Sequence, residues 1–380
     1  MLPWERVQSA FDHRPSDKVP IYQAGFSSWA GSIVLGREAY VGGGIQQYRE
    51  ARALWEGPDA HQEFLERSRR DAFEIAEVLD LDLIRPTYWR MPERPTRRLD
   101  DYTFFYGSEE GAWRVMRFDP ATELYQVCDQ SPRPEPTLED LERIVEAAER
   151  AVDSYHPSPA DWPDLVAAVE RFGGYRACPG YGTGLAIPRE PIWLEACVLR
   201  PDLVGRYLDV QMARIPGTIR VMEEIGLTYL CGGGDFAGPL GPMYSPKVFH
   251  ELMMPRLRQI TDWCHEAGCY HGFASDGNLW PIADDLFGAA AVDFFYELDR
   301  AAGMDLVRMR TTFPHVTLWG GINSATLHRG TVAEVREETL SALEQAKEHT
   351  SIVVGCSNQI VAGTPPENIE AMLETLREHR

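Results

Sequence analysis

Short apolar runs rich in β-branched and aromatic residues recur along the whole chain, and amphipathic segments separate them. Several of the runs are continuously apolar instead of alternating, which is typical of parallel strands that are covered by helices. The strands predicted in this way are residues 19–26, 81–89, 175–184, 227–235, 269–277, 290–298, 316–323 and 351–358.

The segments between these runs carry helix signals. Ser245 followed by Pro246 predicts an N-cap with proline at the first helical position. Pro255 lies inside the same segment and predicts a kink there, because proline lacks the N–H that a helix interior needs. Thr331 and Glu334 have the spacing of a capping box and predict the start of a long helix.

Residues 97–127 interrupt this alternation with a stretch that reads as two strands around a polar turn. The segment is interpreted as a β-hairpin inserted in the N-terminal half of the main architecture. Strand–helix alternation over the full length predicts an α/β protein, a closed (β/α)₈ TIM barrel, in which residues 1–380 form a single domain. A doubly wound open sheet is the alternative.

Composition narrows the function classes. The chain of 380 residues has 44% hydrophobic and 25% charged residues, as in soluble globular proteins, and no apolar stretch approaches the length of a membrane helix. Its seven cysteines are scattered, and the first residues lack the pattern of a signal peptide, so we expect a cytoplasmic protein. The net charge of -21 argues against a nucleic-acid or anionic membrane partner and leaves a small-molecule substrate.

Polar residues at the ends of predicted strands are the first candidates for chemistry, because a barrel carries its active site there. Asp235 follows three glycines and would position substrate or cap the next helix. His271 would be a ligand or proton carrier at a strand end, or a hydrogen-bonded core residue. Asn323 would donate to substrate or close a turn, and Asp276 is interpreted as an Asx turn before a glycine.

Several of these strand-end clusters follow one another in a familiar order. The matching segments are "GGGDFAGPLGPMYSPKVFHELMMP", "HGFASDG", "YELDRAAGMDLVRMRTTFP", "LWGGINSATLHRGTVAEV" and "GCSNQIVAGTPPENIEAM". Their order and spacing resemble the uroporphyrinogen decarboxylase-like (URO-D-like) family, which includes the decarboxylase of haem synthesis and zinc methyltransferases that serve corrinoid proteins. The resemblance implies a (β/α)₈ barrel, in agreement with the periodicity.

The decarboxylase branch of the family carries an arginine on each side of a Gln-Ala-Gly core near the first strand. Gln23 keeps that core here, but Tyr22 and Phe26 stand at the flanking positions. Without those guanidiniums a polycarboxylate substrate would lose charge-assisted hydrogen bonds worth ~1.5–3 kcal/mol each. The resemblance therefore implies that these positions bind substrate, and that the substrate is not a porphyrinogen.

Arg85 or Arg310 would compensate only in part for the missing pair by holding a substrate carboxylate. The catalytic aspartate of the decarboxylase branch follows an early strand, and Asp82 is its nearest match in this chain. The resemblance implies a catalytic role for Asp82 on this basis.

The methyltransferase branch binds zinc through a His-x-Cys pair and a distant cysteine. His271 and Cys356 match the first and last of these ligands, while Phe273 replaces the middle cysteine. Glu297 matches a family carboxylate near the metal. The resemblance thus implies a zinc ion held by His271, Cys356 and Glu297 with a fourth position open, where the metal would lower the pKa of a thiol substrate.

The sequence-based hypothesis is a methyltransferase that moves a methyl group between a small methylated or methoxylated donor and a corrinoid or thiol acceptor, with zinc assistance. A corrinoid protein is the expected partner, and a homodimer is the expected assembly. Asp235 and Gln23 would shape the substrate site.

Two alternatives remain open. One is a metal-free decarboxylase or lyase acting on a carboxylated substrate, in which Asp82 or Asp235 stabilises a cationic intermediate and His271 donates a proton. The other is a catalytically silent barrel that serves as a partner-binding subunit.

Overall fold

The computed structural model of the protein describes residues 1–380 and contains 14 β-strands. Numbered in chain order, they are β1 (Gly25–Phe26), β2 (Arg97–Arg98), β3 (Thr103–Gly107), β4 (Trp113–Asp119), β5 (Leu124–Gln130), β6 (Pro179–Tyr181), β7 (Tyr229–Gly233), β8 (Ala237–Gly238), β9 (Gly241–Pro242), β10 (Tyr270–Ala274), β11 (Phe294–Tyr296), β12 (Thr317–Ile322), β13 (Ile352–Cys356) and β14 (Gln359–Ile360).

The α-helices fill the segments between the parallel strands. They are α1 (Pro3–Phe11), α2 (Ser28–Leu35), α3 (Gly44–Glu56), α4 (Pro58–Val78), α5 (Leu138–Ala151), α6 (Pro163–Phe172), α7 (Pro191–Leu199), α8 (Pro201–Ile225), α9 (Pro246–Val248), α10 (Met254–Glu266), α11 (Leu306–Thr312), α12 (Ser324–Arg329), α13 (Val332–His349) and α14 (Pro366–His379). None of them combines the length and the apolar composition that a membrane crossing requires.

The parallel strands close into a barrel. Strands β6, β7, β10, β11, β12 and β13 pair side by side in that order. Ile21, ahead of β1, bridges Val354 in β13, and its carbonyl accepts the N–H of Asp82 at 3.1 Å. Leu83 in turn bridges Ala177, next to β6, which completes the ring. The predicted (β/α)₈ barrel is confirmed, and each of the predicted parallel strand segments contributes to it.

Two apolar cores follow from the alternation of side chains along each barrel strand. A cluster of 73 buried residues lies between the strands and the surrounding helices. A second cluster of 12 residues fills the barrel interior, where Phe294 stacks on Trp319 at 4.3 Å between ring centroids. Phe11 of α1 enters from the N-terminal end and contacts Tyr229 at 4.8 Å. Side chains therefore fill the barrel interior at that end, and the interior opens toward the C-terminal end of the strands.

The inserted segment forms a four-stranded antiparallel sheet in the order β2, β3, β4, β5. The sequence indicated only two strands there, because β5 exposes most of its side chains and lacks a clear apolar alternation. The sheet packs on α3, where Tyr48 stacks on Phe118 at 4.3 Å. This small third core anchors the insertion beside the barrel.

The predicted helix starts are present in the structure. Ser245 accepts the N–H of Val248 at 3.3 Å, and α9 runs into a π-helical turn, Phe249–Met253, directly before Pro255. The kink predicted from Pro255 takes the form of this turn, since the proline interrupts the regular i→i−4 bonding. Thr331 and Glu334 form their reciprocal capping box at the start of α13.

Candidate functional site

Three carboxylates converge at the C-terminal end of the barrel. Asp235 follows β7, Asp276 follows β10 and Glu297 follows β11. All three are half-buried, and one oxygen atom of each lies within 4.8 Å of the others. Because parallel strands in a barrel end on the same rim, residues far apart in sequence meet there. We call these residues the acid cluster.

Different contacts hold the members of the acid cluster. Asp235 forms an ion pair with Arg189 and accepts the backbone N–H of Asp276 at 3.2 Å. The carboxylate of Asp276 also accepts from Asn358 Nδ2, at 3.1 and 3.0 Å to its two oxygens. Glu297 has a φ of 70°, a left-handed conformation that costs a non-glycine residue of order 1–3 kcal/mol. Strain of this kind is concentrated at functional sites.

Burial and the neighbouring carboxylates change the protonation of the cluster. Burial is the larger cause, and with Asp276 and Asp235 nearby it raises the pKa of Glu297 to about 8. Burial and Asp235 also raise the pKa of Asp276, against the opposing effect of its bond from Asn358. Glu297 is therefore protonated at neutral pH and can donate a proton, which is the requirement for a general acid.

An arginine without an acidic partner lies in the same mouth. The guanidinium of half-buried Arg85 donates to the carbonyl oxygens of Ala24 and Thr87, the latter at 3.1 Å, and forms no ion pair within the chain. It lies over the rings of Tyr88 and Trp89, at 5.1 and 4.9 Å from their centroids. In a chain with a net charge of -21, an unpaired interior guanidinium is suited to an anionic ligand.

Tyrosines and a cysteine line the barrel interior beside this arginine. Burial raises the pKa of Tyr22 and of Cys231 above their usual ranges, so both remain neutral. Tyr296 donates its hydroxyl to the carbonyl of Gly232 at 3.1 Å, and Tyr181 is half-buried next to it in the interior cluster. The neutral thiol of Cys231 is neither a nucleophile nor a metal ligand in this state.

The sequence-predicted His271 and Cys356 lie outside the barrel wall. His271 is fully buried against α10, where Thr261 Oγ1 contacts its Nδ1 at 2.8 Å, and burial lowers the pKa of the imidazole to about 3. Cys356 is buried in the outer core, and its N–H donates to Gln23 Oε1 at 2.9 Å. Phe273 belongs to the same outer core. His271 and Phe273 are two residues apart on one strand, so they share this outward face.

These positions decide which metal the residues could hold. The structure does not bring His271 and Cys356 together with Glu297; the group within ligating distance consists of Asp235, Asp276 and Glu297. Three carboxylates offer only hard oxygen donors, which suit magnesium, manganese or calcium, and the group lacks the histidine nitrogen and cysteine sulfur ligands typical of protein zinc sites. The residues present do not fit the predicted zinc site, so we derive no zinc-dependent step.

Asp82 lies at the opposite end of the barrel from the acid cluster. Its Oδ1 accepts from Arg6 at 3.0 Å, and its Oδ2 accepts the N–H of Ile21 at 2.9 Å and lies 3.3 Å from Arg380. The carboxylate is fully buried in this ion-pair network. Residues at the N-terminal face of a barrel serve stability, so the predicted catalytic role of Asp82 has no support in this geometry.

Other predicted substrate contacts also have structural partners away from the mouth. Arg310 is buried and donates to the carbonyl of Val316 at 2.6 Å, at the N-terminal end of β12. Asn323 caps α12 by accepting the N–H of Ala325 at 2.8 Å. Phe26 is buried in the outer core, and Gln23 bridges the first and last strands of the barrel. Of the predicted substrate-binding residues, Arg85 lies in the mouth, and Tyr22 is buried in the barrel interior near it.

Residue-by-residue reasoning from the sequence missed part of the site. Asp276 was interpreted as a turn residue, and Asn358, Tyr181 and Arg189 were not singled out. Asp276 and Asn358 nevertheless lie at the ends of predicted strands, in "SDG" and "CSNQ". The rule that barrel chemistry lies beyond strand ends would have found both, if it had been applied without regard to a family motif.

Comparisons with known proteins agree with this architecture. Residues 240–379 match the family described as uroporphyrinogen decarboxylase (URO-D). Among solved structures, 44 chains match. One is a methyltransferase from Methanosarcina mazei, with a TM-score of 0.61 and 18% identity over 100% of this chain and 99% of that chain. At this identity the likeness establishes a shared fold.

Two other matching structures overlap much less. The IOLI protein with a bound zinc atom has a TM-score of 0.25 and 10% identity, over 60% of this chain and 94% of that chain. A xylose isomerase-like TIM barrel/4-hydroxyphenylpyruvate dioxygenase fusion protein has a TM-score of 0.25 and 12% identity, over 63% and 40%. No curated protein matches the chain. The predicted resemblance is confirmed: the chain shares its (β/α)₈ barrel fold with the methyltransferase from Methanosarcina mazei, and its residues 240–379 match the URO-D family.

Proposed function

We propose that this protein is a methyltransferase that removes a methyl group from a small, anionic methylated donor and passes it to a corrinoid or thiol acceptor. The observation that supports this most is the pairing, in one barrel mouth, of a protonated glutamate with an unpaired arginine. Glu297 would donate the proton and Arg85 would hold the donor molecule. Arg85 is close enough to lower the pKa of Glu297, so both groups could act on one small molecule.

Removal of a methyl group from oxygen or nitrogen leaves an atom that needs a proton. The bond between the methyl carbon and the leaving atom breaks, and its electron pair stays on the leaving atom. Glu297 is neutral because of burial and its acidic neighbours, so its carboxyl proton can pass to that atom. The acceptor, a thiol or a corrinoid carried by a partner protein, would supply the electron pair that takes the methyl group.

Arg85 would orient the donor. Its guanidinium is fixed by the carbonyls of Ala24 and Thr87, so it loses little side-chain freedom when it binds an anion. Charge-assisted hydrogen bonds of this type contribute ~1.5–3 kcal/mol each. The rings of Tyr88 and Trp89 beside it offer an apolar wall for the body of the donor.

The same two groups also favour a second candidate, a metal-free carboxy-lyase. Arg85 would hold a carboxylate of the substrate, and Glu297 would protonate the carbon from which carbon dioxide departs. The two reactions differ in their products. Methyl transfer yields a methylated acceptor, and decarboxylation yields carbon dioxide with the acceptor unchanged.

The test is a turnover assay with anionic, uncharged and cationic methyl donors, supplied with reduced cobalamin or a small thiol. We expect methylation of the acceptor with the anionic donors. Glu297→Gln should lower the rate by roughly 10²–10⁴-fold, the range of general acid catalysis. Asp284→Asn, which changes an exposed carboxylate outside the mouth, is the matched control.

The outcomes separate the candidates. Release of carbon dioxide from the anionic compounds, without methylation of the acceptor, would rule out methyl transfer and support decarboxylation. An unchanged rate in Glu297→Gln would remove the proposed acid. A preference for cationic donors would remove Arg85 as the group that holds the substrate.

A further inference from the structure

A second pocket lies at the N-terminal end of the barrel, opposite the acid cluster. It has a volume of about 140 Å³ and is enclosed by residues 14–20, the end of α13, residues 350–352 and Arg380. No residue of the mouth contributes to it. We call it the floor pocket.

Four of the 14 residues that line the floor pocket are cations. Arg14, Lys18, Lys347 and Arg380 contribute positive charges, and Asp17 is the one acidic residue among the lining side chains. Asp17 forms an ion pair with Arg6 of α1. Arg14 pairs with Asp12, and Arg380 pairs with Asp80 and Asp82. Lys18 is exposed and has no acidic partner. In a chain with a net charge of -21, an unpaired lysine beside three further cations is suited to an anionic ligand.

The inner end of the floor pocket carries hydrogen-bond donors without partners. The hydroxyl of Ser351 has no hydrogen-bond partner although the residue is only 1% exposed, and its backbone N–H forms no bond to another backbone group. Nε of Arg380 is also buried without a hydrogen-bond partner, whereas its Nη2 lies 3.5 Å from Asp80 Oδ2. A buried donor left unpaired costs ~1–3 kcal/mol, and native proteins contain few of them.

The backbone at this place is strained. Thr350 has φ 52° and ψ -165°, a region that glycine occupies almost alone, and Ser351 follows with φ 48°. For the β-branched Thr350 this conformation is an outlier. Such strain persists where the surroundings impose it, and it is frequent at sites that clamp a ligand. Here it sets Ser351 beside the cationic side chains.

We propose that the floor pocket binds a small oxyanion of the phosphate type. A tetrahedral oxyanion accepts several hydrogen bonds at once, so it matches a pocket that presents ammonium, guanidinium, hydroxyl and amide donors. The site is separate from the acid cluster and does not depend on the proposed methyl transfer. Because Arg380 also contacts Asp82, the bound anion stabilises the closed end of the barrel.

Calorimetric titration of the full chain with inorganic phosphate, at ionic strength matched with chloride, tests the proposal. We expect saturable binding to the wild type and a dissociation constant at least fivefold higher, roughly 1 kcal/mol, in Lys18→Gln and Ser351→Ala. Lys247→Gln, which changes an exposed lysine on α9, should bind as the wild type does. Lys18 is exposed, so its variant should fold even if Ser351→Ala does not.

A phosphate monoester, glycerol 2-phosphate, distinguishes the source of the ligand. Equal binding of ester and free phosphate identifies a phosphorylated metabolite as an acceptable ligand, and binding of phosphate alone identifies the free anion; both support the proposal. The proposal is overturned if the wild type binds phosphate no better than chloride. It is equally overturned if Lys18→Gln binds phosphate within twofold of the wild type.

Discussion

Replacement of Glu297 by glutamine should make the stability of the protein less dependent on pH. The folded chain holds the Glu297 proton up to a pKa of about 8, compared with a usual value of 4.5. Between these values the folded state binds a proton that the unfolded state has released, so the wild type loses stability as pH rises. Glutamine carries no titrating proton and removes this loss.

The size of this loss in stability follows from the interval between the pKa values of Glu297 in the unfolded and folded chain. Each pH unit within it corresponds to about 1.4 kcal/mol of unfolding free energy for one fully coupled group. Glu297 is half-buried, so solvent reduces the effect. We expect the wild type to lose roughly 2–4 kcal/mol relative to Glu297→Gln between about pH 5 and about pH 8. Most of this difference should arise above about pH 6, where the reference group in the unfolded chain is fully ionised.

Urea unfolding of both proteins at about pH 5.5, 7 and 8.5 measures this difference. The stability of Glu297→Gln relative to the wild type should increase at each step. Asp284→Asn, which removes an exposed carboxylate outside the mouth, should show a constant difference from the wild type. A constant difference for Glu297→Gln as well would refute the claim that burial and the neighbouring acids keep this group protonated.

Three further predictions concern the barrel wall, its floor and the metal. Gly355→Ala should destabilise the fold by about 3 kcal/mol or more in urea unfolding, because a Cβ there would overlap the carbonyl oxygen of Tyr22 on the neighbouring strand; a change below about 1 kcal/mol would contradict the tight closure of the barrel. Asp82→Asn should lower the free energy of unfolding by about 3–5 kcal/mol, because Arg6 and Arg380 lose their buried acidic partner. The kcat of the folded fraction should stay unchanged, and a loss of kcat would support the predicted catalytic role of Asp82. In metal analysis, His271→Ala and Cys356→Ala should contain as much zinc as the wild type. Loss of zinc from both variants would support the predicted zinc site instead.

The barrel was predictable because its signals are local. Each parallel strand is an apolar run between helix signals such as the capping box of Thr331 and Glu334, and such signals need no knowledge of distant neighbours. The exposed strand β5 was not predicted, since its side chains lack the alternation that a half-buried strand shows. Local pattern is informative where one face of an element is buried and weak where it is not.

The candidate site shows where motif order misleads. His271 lies on a predicted strand and matches a family ligand, yet its ring packs on Thr261 outside the barrel. Asp276, five residues further along, lies beyond the strand end and joins the acid cluster. A change of one residue in register moves a side chain from one face of a strand to the other. A motif match that is wrong by a single position therefore assigns an outward-facing residue to the site, or an inward-facing one to the outer core.

The amino-acid pattern alone was enough for the fold class, the parallel strand segments and the helix starts, since all of these depend on periodicity and capping within short segments. It could not tell which strand residues face inward, because that depends on how the strands stagger around the closed ring. The pattern also could not show that Asp235, Asp276 and Glu297 lie together, or that Arg85 has no acidic partner. Burial and neighbouring charge give Glu297 its raised pKa, and both exist only after distant segments have packed.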